Sequence, residues 1–308
     1  MRVVRHPRPG APATAIAIGS FDGVHRGHAA IFARVAGEAA RRGLESAVLT
    51  FEPLPRELFA PADAPARLSS LREKLEAVAR AGVGTAFVQR FDRAFAALPA
   101  ERFAERLATH HGARWVMVGE DFRFGARRAG DAALLARLAP ALGFEVAVME
   151  HVALAGERVS STRVREALAR GDLALAAGLL GRPYAITGRV VHGAKRGRLL
   201  GYPTANVALR RPRPALDGVF AVKCHGAATR GLEGVASLGI NPAVSHGGPA
   251  TLEAFLFDFS GDLYGRRLTI EFLHRLRETR HFASLDALVA QIGRDCEAGR
   301  AFFRAMGT

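Results

Sequence analysis

The pattern of apolar and polar positions changes period near residue 182. Before that point short apolar runs alternate with stretches of helical spacing. Thr14 to Ile18 predicts a buried strand and Ala29 to Arg42 a helix. Ser46 to Phe51 predicts a second strand that runs into Glu52-Pro53-Leu54-Pro55, where the prolines end the ladder and predict a rigid loop. Ser69 or Ser70 is placed to cap a helix through Arg80, Gly84 to Gln89 predicts a third strand, and Pro99 opens a helix over Glu101 to His111. Arg114 to Val118 follows as a strand, then Gly130 to Leu142 as a helix and Phe144 to Met149 as a strand. Alternation of this kind predicts an α/β fold with a parallel sheet covered by helices on both faces, where ligands sit beyond the carboxyl ends of the strands. Residues 19–28, 51–55 and 119–125 fall at such ends.

The alanine-rich helical stretch Leu173 to Leu180 ends at Gly181, and Pro183 follows. This predicts a first domain over residues 1–181 and a second over 182–308. In the second, short segments with β-branched residues recur at 184–191, 219–224, 234–240, 251–258 and 267–273, which predicts a small β-barrel. A final helix from Ser284 to about Phe303 carries Leu285, Leu288, Val289 and Ile292, expected to cover one side of it.

Composition narrows the class. At 308 residues and 49% hydrophobic, the chain suits two globular domains. No apolar stretch has transmembrane length, and the basic N-terminus lies among Pro7, Pro9, Gly10 and Pro12, a poor secretory signal. A soluble cytoplasmic protein with no membrane partner is expected. The formal charge of +14 invites a nucleic-acid reading. Against it, the charge is spread as +6 over residues 1–181 and +8 over 182–308, and all but three of the 43 basic residues are arginine. Sites for polyphosphates account for such a balance without nucleic acid. Cys224 and Cys296 stand at no metal-like spacing and read as small buried apolar residues.

The strongest chemical signal is Gly19-Ser20-Phe21-Asp22-Gly23-Val24-His25-Arg26-Gly27-His28, a turn between the first strand and first helix. Its glycines let the backbone bend and a ligand approach, and a helix N-terminus there offers free N–H groups to an anion. His25 and His28 stand three apart, on one face of that first turn. The run resembles the His-x-Gly-His signature of the nucleotidylyltransferase superfamily. In this longer form it is similar to the bacterial bifunctional riboflavin kinase / FAD synthetase family, which implies a Rossmann-like first domain with Gly19, Phe21 and Asp22 at the nucleotide and His25 and His28 in catalysis.

Further segments extend the resemblance over nearly the whole chain after about residue 13. Gly119 to Gly125 is similar to the family's Gly-x-Asn/Asp-Phe-x-Phe-Gly segment, which implies ATP contacts from Asp121. Residues 50–59 resemble its flavin-side loop, which implies Pro53, Pro55 and Phe59 at the isoalloxazine. Arg158 to Arg165 resembles its Ile-Ser-Ser-Thr-x-Ile-Arg motif, which implies Arg158, Ser161, Thr162 and Arg165 around the triphosphate, and Ser160 or Ser161 is placed to cap the helix that follows. In the second domain Gly201-Tyr202-Pro203-Thr204-Ala205-Asn206, preceded by a glycine-flanked loop at 193–197, resembles the riboflavin kinase signature. Thr204 and Asn206, two apart in extended chain, present oxygens to one side and suit Mg²⁺. The match of residues 252–259 and 261–265 to the later strand and turn implies that Glu253 is the base for the ribityl hydroxyl. Two departures are visible: Asn241-Pro242-Ala243, where the family commonly has Arg-Pro-Thr, and Ala254-Phe255, where it has Val-His.

The expected activity is phosphorylation of riboflavin by ATP to FMN in the barrel, then transfer of AMP from a second ATP to FMN, giving FAD and pyrophosphate. Mg²⁺ is the expected cofactor, with ATP as co-substrate and flavins as substrates and products. Two competing readings are an FMN adenylyltransferase with a weak or inactive kinase domain, motivated by the departures, and an RNA-binding protein of the same superfamily. Oligomeric state is not legible.

Overall fold

A computed structural model of the chain describes residues 1–193, 201–211, 213–240 and 250–307, except the side chain of Ile240. Most of the 193–197 loop and all of Asn241-Pro242-Ala243 lie outside the described residues. Backbone packing groups Met1–Pro65 with Leu71–Ser160 as one compact unit, and Ala66–Ser70 with Ser161–Thr308 as another.

The first unit contains strands β1 (Arg2–Val4), β2 (Thr14–Ile18), β3 (Glu45–Glu52), β4 (Thr85–Arg90), β5 (Ala113–Gly119), β6 (Arg123–Phe124), β7 (Gly130–Asp131), β8 (Glu145–Met149), β9 (Ala153–Leu154) and β10 (Glu157–Arg158). Its helices are α1 (Arg26–Arg42), α2 (Pro55–Phe59), α3 (Leu71–Arg80), α4 (Arg93–Ala96), α5 (Ala100–His110) and α6 (Ala132–Leu142). Six strands form one sheet in the order β1-β4-β3-β2-β5-β8, and every neighbouring pair is parallel. The alternation of strand side chains explains the two cores. Ile16, Ile18, Leu49 and Phe87 pack with Phe103, Leu107 and Leu135 of α5 and α6. Ala15, Ala17, Val48 and Trp115 pack with Phe32 and Val35 of α1 and Ala77 and Val78 of α3. Both faces are therefore covered, as parallel strands require. The ends of β2, β3 and β5 open onto the three segments singled out in the sequence.

The sequence reading needs correction at several points. The rigid loop expected over residues 52–55 ends at Leu54, because Pro55 already opens a helix that runs to Phe59. Proline at the first helical position costs nothing, because that N–H has no partner in a helix anyway, and the Glu57 carboxylate accepts the Leu54 N–H at 2.8 Å. Gly130 and Asp131 pair with Phe124 and Arg123 rather than opening a helix, and α6 starts at Ala132 with Asp131 as its cap. The basic N-terminus supplies β1, which pairs in parallel with β4.

The second unit contains α7 (Ser161–Arg170), α8 (Leu173–Leu180) and strands β11 (Tyr184–Val191), β12 (Ala205–Val207), β13 (Gly218–His225), β14 (Leu232–Ile240), β15 (Ala250–Leu256) and β16 (Arg267–Arg277), followed by a C-terminal helix, Leu285–Met306. The strands close into a barrel in the order β11-β12-β15-β14-β13-β16, with antiparallel neighbours. Phe220, Val222, Cys224, Leu268, Ile270 and Phe272 are buried on alternate positions of β13 and β16. Helix α8 packs on β11 and β16 and buries Leu173, Leu179 and Leu180.

The C-terminal helix starts where expected, at the Ser284 cap, and Ile292 packs against the cluster of Cys296 and Phe303 as expected, but the first of its apolar residues stays outside. Leu285 is 58% exposed, and the buried seam is Gln291, Asp295, Cys296, Gly299 and Phe303. Asp295 accepts two hydrogen bonds from Arg277 of β16, at 2.9 and 2.7 Å, and another from Gln291 at 2.7 Å. A paired carboxylate tolerates burial that an unpaired one does not, and Gly299 lets the helix lie against Val235 and Phe257.

Candidate active sites

In the first unit, β2 ends at Ile18 and α1 starts at Arg26, so the intervening turn must reverse direction within a few residues. It does so with positive φ at Phe21 (48°), Gly23 (80°) and Val24 (45°). A left-handed backbone at bulky side chains costs on the order of 1–3 kcal/mol each and persists only where surroundings impose it. Here the Phe21 ring is locked edge-on against Phe32 at 4.9 Å and His28 at 5.2 Å, and Val24 is buried. A side chain at Gly19 would strike the Phe21 ring at 2.9 Å, so Gly19 is required by the packing of that ring. Asp22 is buried in the same turn.

His25 caps α1: its Nδ1 accepts the His28 N–H at 3.3 Å, and the two imidazoles stack at 3.6 Å. The Nδ1 of His28 is buried without a hydrogen-bond partner among the described residues. Burial first, then the charges of His25 and Lys74, holds the His28 imidazole well below its ordinary pKa, so it is neutral at neutral pH. A neutral His28 ring can stack on its neighbour where two imidazolium ions would repel. The position of a side chain at Gly27 would lie 3.1 Å from the His25 ring and 3.7 Å from the Val159 carbonyl, which brings the chain after β10 alongside the turn.

Lys74 escapes the sequence reading. On an arginine-rich chain a lysine of α3 reads as a solvated charge, yet Lys74 is 1% exposed and its Nζ donates to Thr50 Oγ1 at 3.2 Å. The available signal is its spacing, three and four residues before the buried Ala77 and Val78.

The other candidates of this unit lie at neighbouring strand ends. Asp121 pairs with Arg158 at 2.9 Å, and Glu120 with His151 at 3.0 Å. Burial pushes the Asp121 carboxyl up, but the bond from Arg158 and its charge outweigh this and hold it below its usual value. Pro53 follows a cis peptide bond, Pro55 opens α2, and Phe59 stands 67% exposed at its end, its ring edge-on to Phe91 at 5.9 Å. Phe51 and Phe95 continue this aromatic cluster behind Phe91.

Ser161, Thr162 and Arg165 open α7 in the second unit, with the cap position on Ser160. Arg165 Nε donates to the Ala66 carbonyl at 2.6 Å.

The barrel brings its three candidates together by strand register. Asn206 of β12 stands directly opposite Glu253 of β15, and the Thr204 hydroxyl, just before β12, donates to the Glu253 carboxylate at 3.4 Å. Among the described residues no cation pairs with Glu253. A Cβ at Gly193 would fall 2.5 Å from the Asn206 amide carbon, so the backbone of Gly193 closes over that side chain. Ala254 is buried, whereas Phe255 lies on the face of Glu253 and packs edge-on against Tyr202 at 5.5 Å, so packing accommodates both departures there. Among the described residues no cluster of three His, Cys, Asp or Glu side chains could hold a metal.

A parallel α/β layer carries a histidine pair at the turn between β2 and α1, and in the same chain a closed barrel carries a threonine, asparagine and glutamate cluster, two features that suit phosphate-transfer chemistry. Comparison with known proteins specifies it further. Residues 9–163 match the FAD synthetase family model and residues 180–303 the riboflavin kinase model. Proteins described as bifunctional riboflavin kinase/FMN adenylyltransferase are 47% identical in Escherichia coli K12 (94% of this chain, 92% of that one) and 45% identical in Pseudomonas fluorescens (98% and 96%). A crystal structure titled as a macrolide-efflux protein from Streptococcus pneumoniae is 31% identical with a TM-score of 0.79, covering 97% of this chain and 99% of that one. The chain belongs to the bifunctional riboflavin kinase/FMN adenylyltransferase family. It carries both activities, ATP-dependent phosphorylation of riboflavin and adenylyl transfer to FMN. No described helix is long and apolar enough to cross a membrane.

Proposed function

We propose that the two activities divide at residue 181, with adenylyl transfer in residues 1–181 and riboflavin phosphorylation in 182–308, and that the residues above carry them. Glu253 takes the proton of the ribityl hydroxyl as it attacks the γ-phosphate of ATP. Thr204 and Asn206 hold Mg²⁺, for which their hard oxygens are suited. When bound, Mg²⁺ neutralises charge on the phosphates. The observation that carries this reading is the register that sets Asn206 opposite Glu253, with the Thr204 hydroxyl 3.4 Å from the same carboxylate. A base must lie within hydrogen-bond reach of the proton it takes, and the Glu253 carboxylate already accepts one hydroxyl on this face, that of Thr204.

In the adenylyl step the FMN phosphate is already nucleophilic, so no strong base is required. His25, His28 and Arg165 stabilise charge growing on the α-phosphate and pyrophosphate. Gly19, Phe21 and Asp22 shape the turn at the nucleotide. Asp121, Arg158, Ser161 and Thr162 contact ATP, and Pro53, Pro55 and Phe59 receive the flavin ring. The exposed ring of Phe59, backed by Phe91, supports the last assignment. The partners are small molecules, with no nucleic acid and no membrane. Two unlinked thiols, Cys224 and Cys296, support a cytoplasmic location.

The test is to titrate Mg²⁺ against FMN formation from riboflavin in wild type and Thr204→Ala, separating FMN from FAD. The variant is expected to need more metal while adenylation of supplied FMN is unchanged. An unaltered metal requirement rejects Thr204 as a ligand.

A further inference from the structure

Burying a lysine costs several kcal/mol unless its ammonium is hydrogen-bonded and its charge used. Lys74 stands on the apolar seam of α3 with Ala77 and Val78, 1% exposed, where the helical spacing alone calls for an apolar side chain. Composition sharpens the point. Of the 43 basic residues only Lys74, Lys195 and Lys223 are lysine, so in this arginine-rich chain Lys74 is the sole lysine of residues 1–181. An ammonium is a compact point charge that fits where the planar guanidinium fork does not.

Its contacts run to the histidine turn. Lys74 Nζ donates to Thr50 Oγ1 at 3.2 Å, and Thr50 Oγ1 in turn donates to the Ser20 carbonyl at 3.2 Å. Thr50 is itself 1% exposed, at the carboxyl end of β3, and the Gly19 N–H donates to the Leu49 carbonyl at 3.0 Å beside it. The first two residues of the turn are thus tied to the end of β3, and Lys74 fixes the hydroxyl that makes one of the ties. We propose that Lys74 is a positioning residue for adenylyl transfer: its buried ammonium holds the Ser20 carbonyl in place through the Thr50 hydroxyl and supplies a fixed positive charge behind His28.

The proposal rests on the assignment of adenylyl transfer to the His25–His28 turn and adds a residue outside that turn. A fixed charge in a dry site stabilises developing phosphate charge without reorganising during reaction. It also acts on His28. Among the described residues, His25 from the turn and Lys74 from α3 are the charged or titratable groups whose fields lower the proton affinity of His28, alongside its burial. Burial and His25 lower the proton affinity of His28 more than the lysine does, and Lys74 adds to them from α3.

The experiment compares wild type, Lys74→Met, Thr50→Val and the double variant in the full chain. Methionine matches the length of the lysine stem and suits burial, so folding is expected to survive. Riboflavin phosphorylation on the same chain serves as the internal control. Adenylation of supplied FMN by Lys74→Met is expected to fall on the order of 10²-fold in kcat, with KM for FMN little changed. The Thr50→Val loss is expected to be smaller, and the double variant to lose no more than Lys74→Met, because both act through one chain. NMR titration of the His28 imidazole in Lys74→Met should show its pKa raised, which a merely structural lysine would not produce. Adenylation within about two-fold of wild type in Lys74→Met, or an unmoved His28 titration, overturns the proposal. A wild-type chain that phosphorylates riboflavin but does not adenylate FMN would instead refute the assignment beneath it.

Discussion

Glu253→Gln separates a base from a structural strand residue, and the structure bounds what the change can do. Glutamine keeps the shape of glutamate and can still accept the Thr204 hydroxyl through its amide oxygen, so the 3.4 Å contact survives. The packing of β15 is carried by its neighbours Leu252 and Ala254, each 1% exposed, which the change does not touch. No cation is left without its partner among the described residues. Stability should therefore move by no more than about 0.5 kcal/mol. What is lost is the acceptor for the hydroxyl proton, and a positioned general base contributes roughly 10²- to 10⁴-fold, or about 3–5 kcal/mol of barrier. Because the group acts on the nucleophile, the loss should appear in kcat rather than in KM for riboflavin. The assay follows FMN from riboflavin and ATP at saturating Mg²⁺, with adenylation of supplied FMN as the control, expected near wild type. Phosphorylation within a few-fold of wild type in a folded variant would refute the assignment.

Other expectations follow from the same geometry. His28→Ala should abolish FAD formation from FMN while FMN formation from riboflavin continues, and a parallel loss of both in a folded protein would contradict two separate centres. His111 is 3% exposed, and burial holds it at about 4 although its Nδ1 meets the Arg106 carbonyl at 2.9 Å. Its folded pKa lies below the unfolded value near 6.5, so the unfolded chain takes up the proton first. About 3 kcal/mol of stability should then be lost as pH falls from about 6.5 to about 4. Urea unfolding across that range should show a shallower acid slope in His111→Gln, and identical slopes would refute the claim. A fragment of residues 182–308 should make FMN from riboflavin on its own. Extending it to Ser161 should raise its melting temperature, because α8 then buries Leu173, Leu179 and Leu180, each worth about 1.5–3 kcal/mol. Equal melting of the two fragments would show that α8 adds nothing to the barrel.

How far the sequence determined this protein depends on the range of the interaction concerned. Signals that are local in the chain were sufficient for β2, α1, β3 and β4, whose apolar spacing and caps lie within the segments themselves, and for the turn at residues 19–28. The closed barrel was legible as a series of short strands. Helix α2 was also within reach, because Pro55 at its first position and Glu57 two residues later are start signals that the proline-loop reading overrode. Three features were decided only by the tertiary structure. The C-terminal helix buries Asp295 because Arg277, on a strand before it in the chain, supplies the paired charge, and an apolar count along one helix cannot register a partner on another element. Asn206 meets Glu253 because β12 pairs with β15, a register set by barrel closure between residues far apart in sequence. Lys74 is the sharpest case. Along the chain it is one polar residue of an amphipathic helix, and only the packing of α3 beside the end of β3 turns it into a buried charge bonded to Thr50 behind the histidine turn. The energy of a charge depends on its surroundings rather than on its place in the sequence, so the folded structure determines where that charge is held.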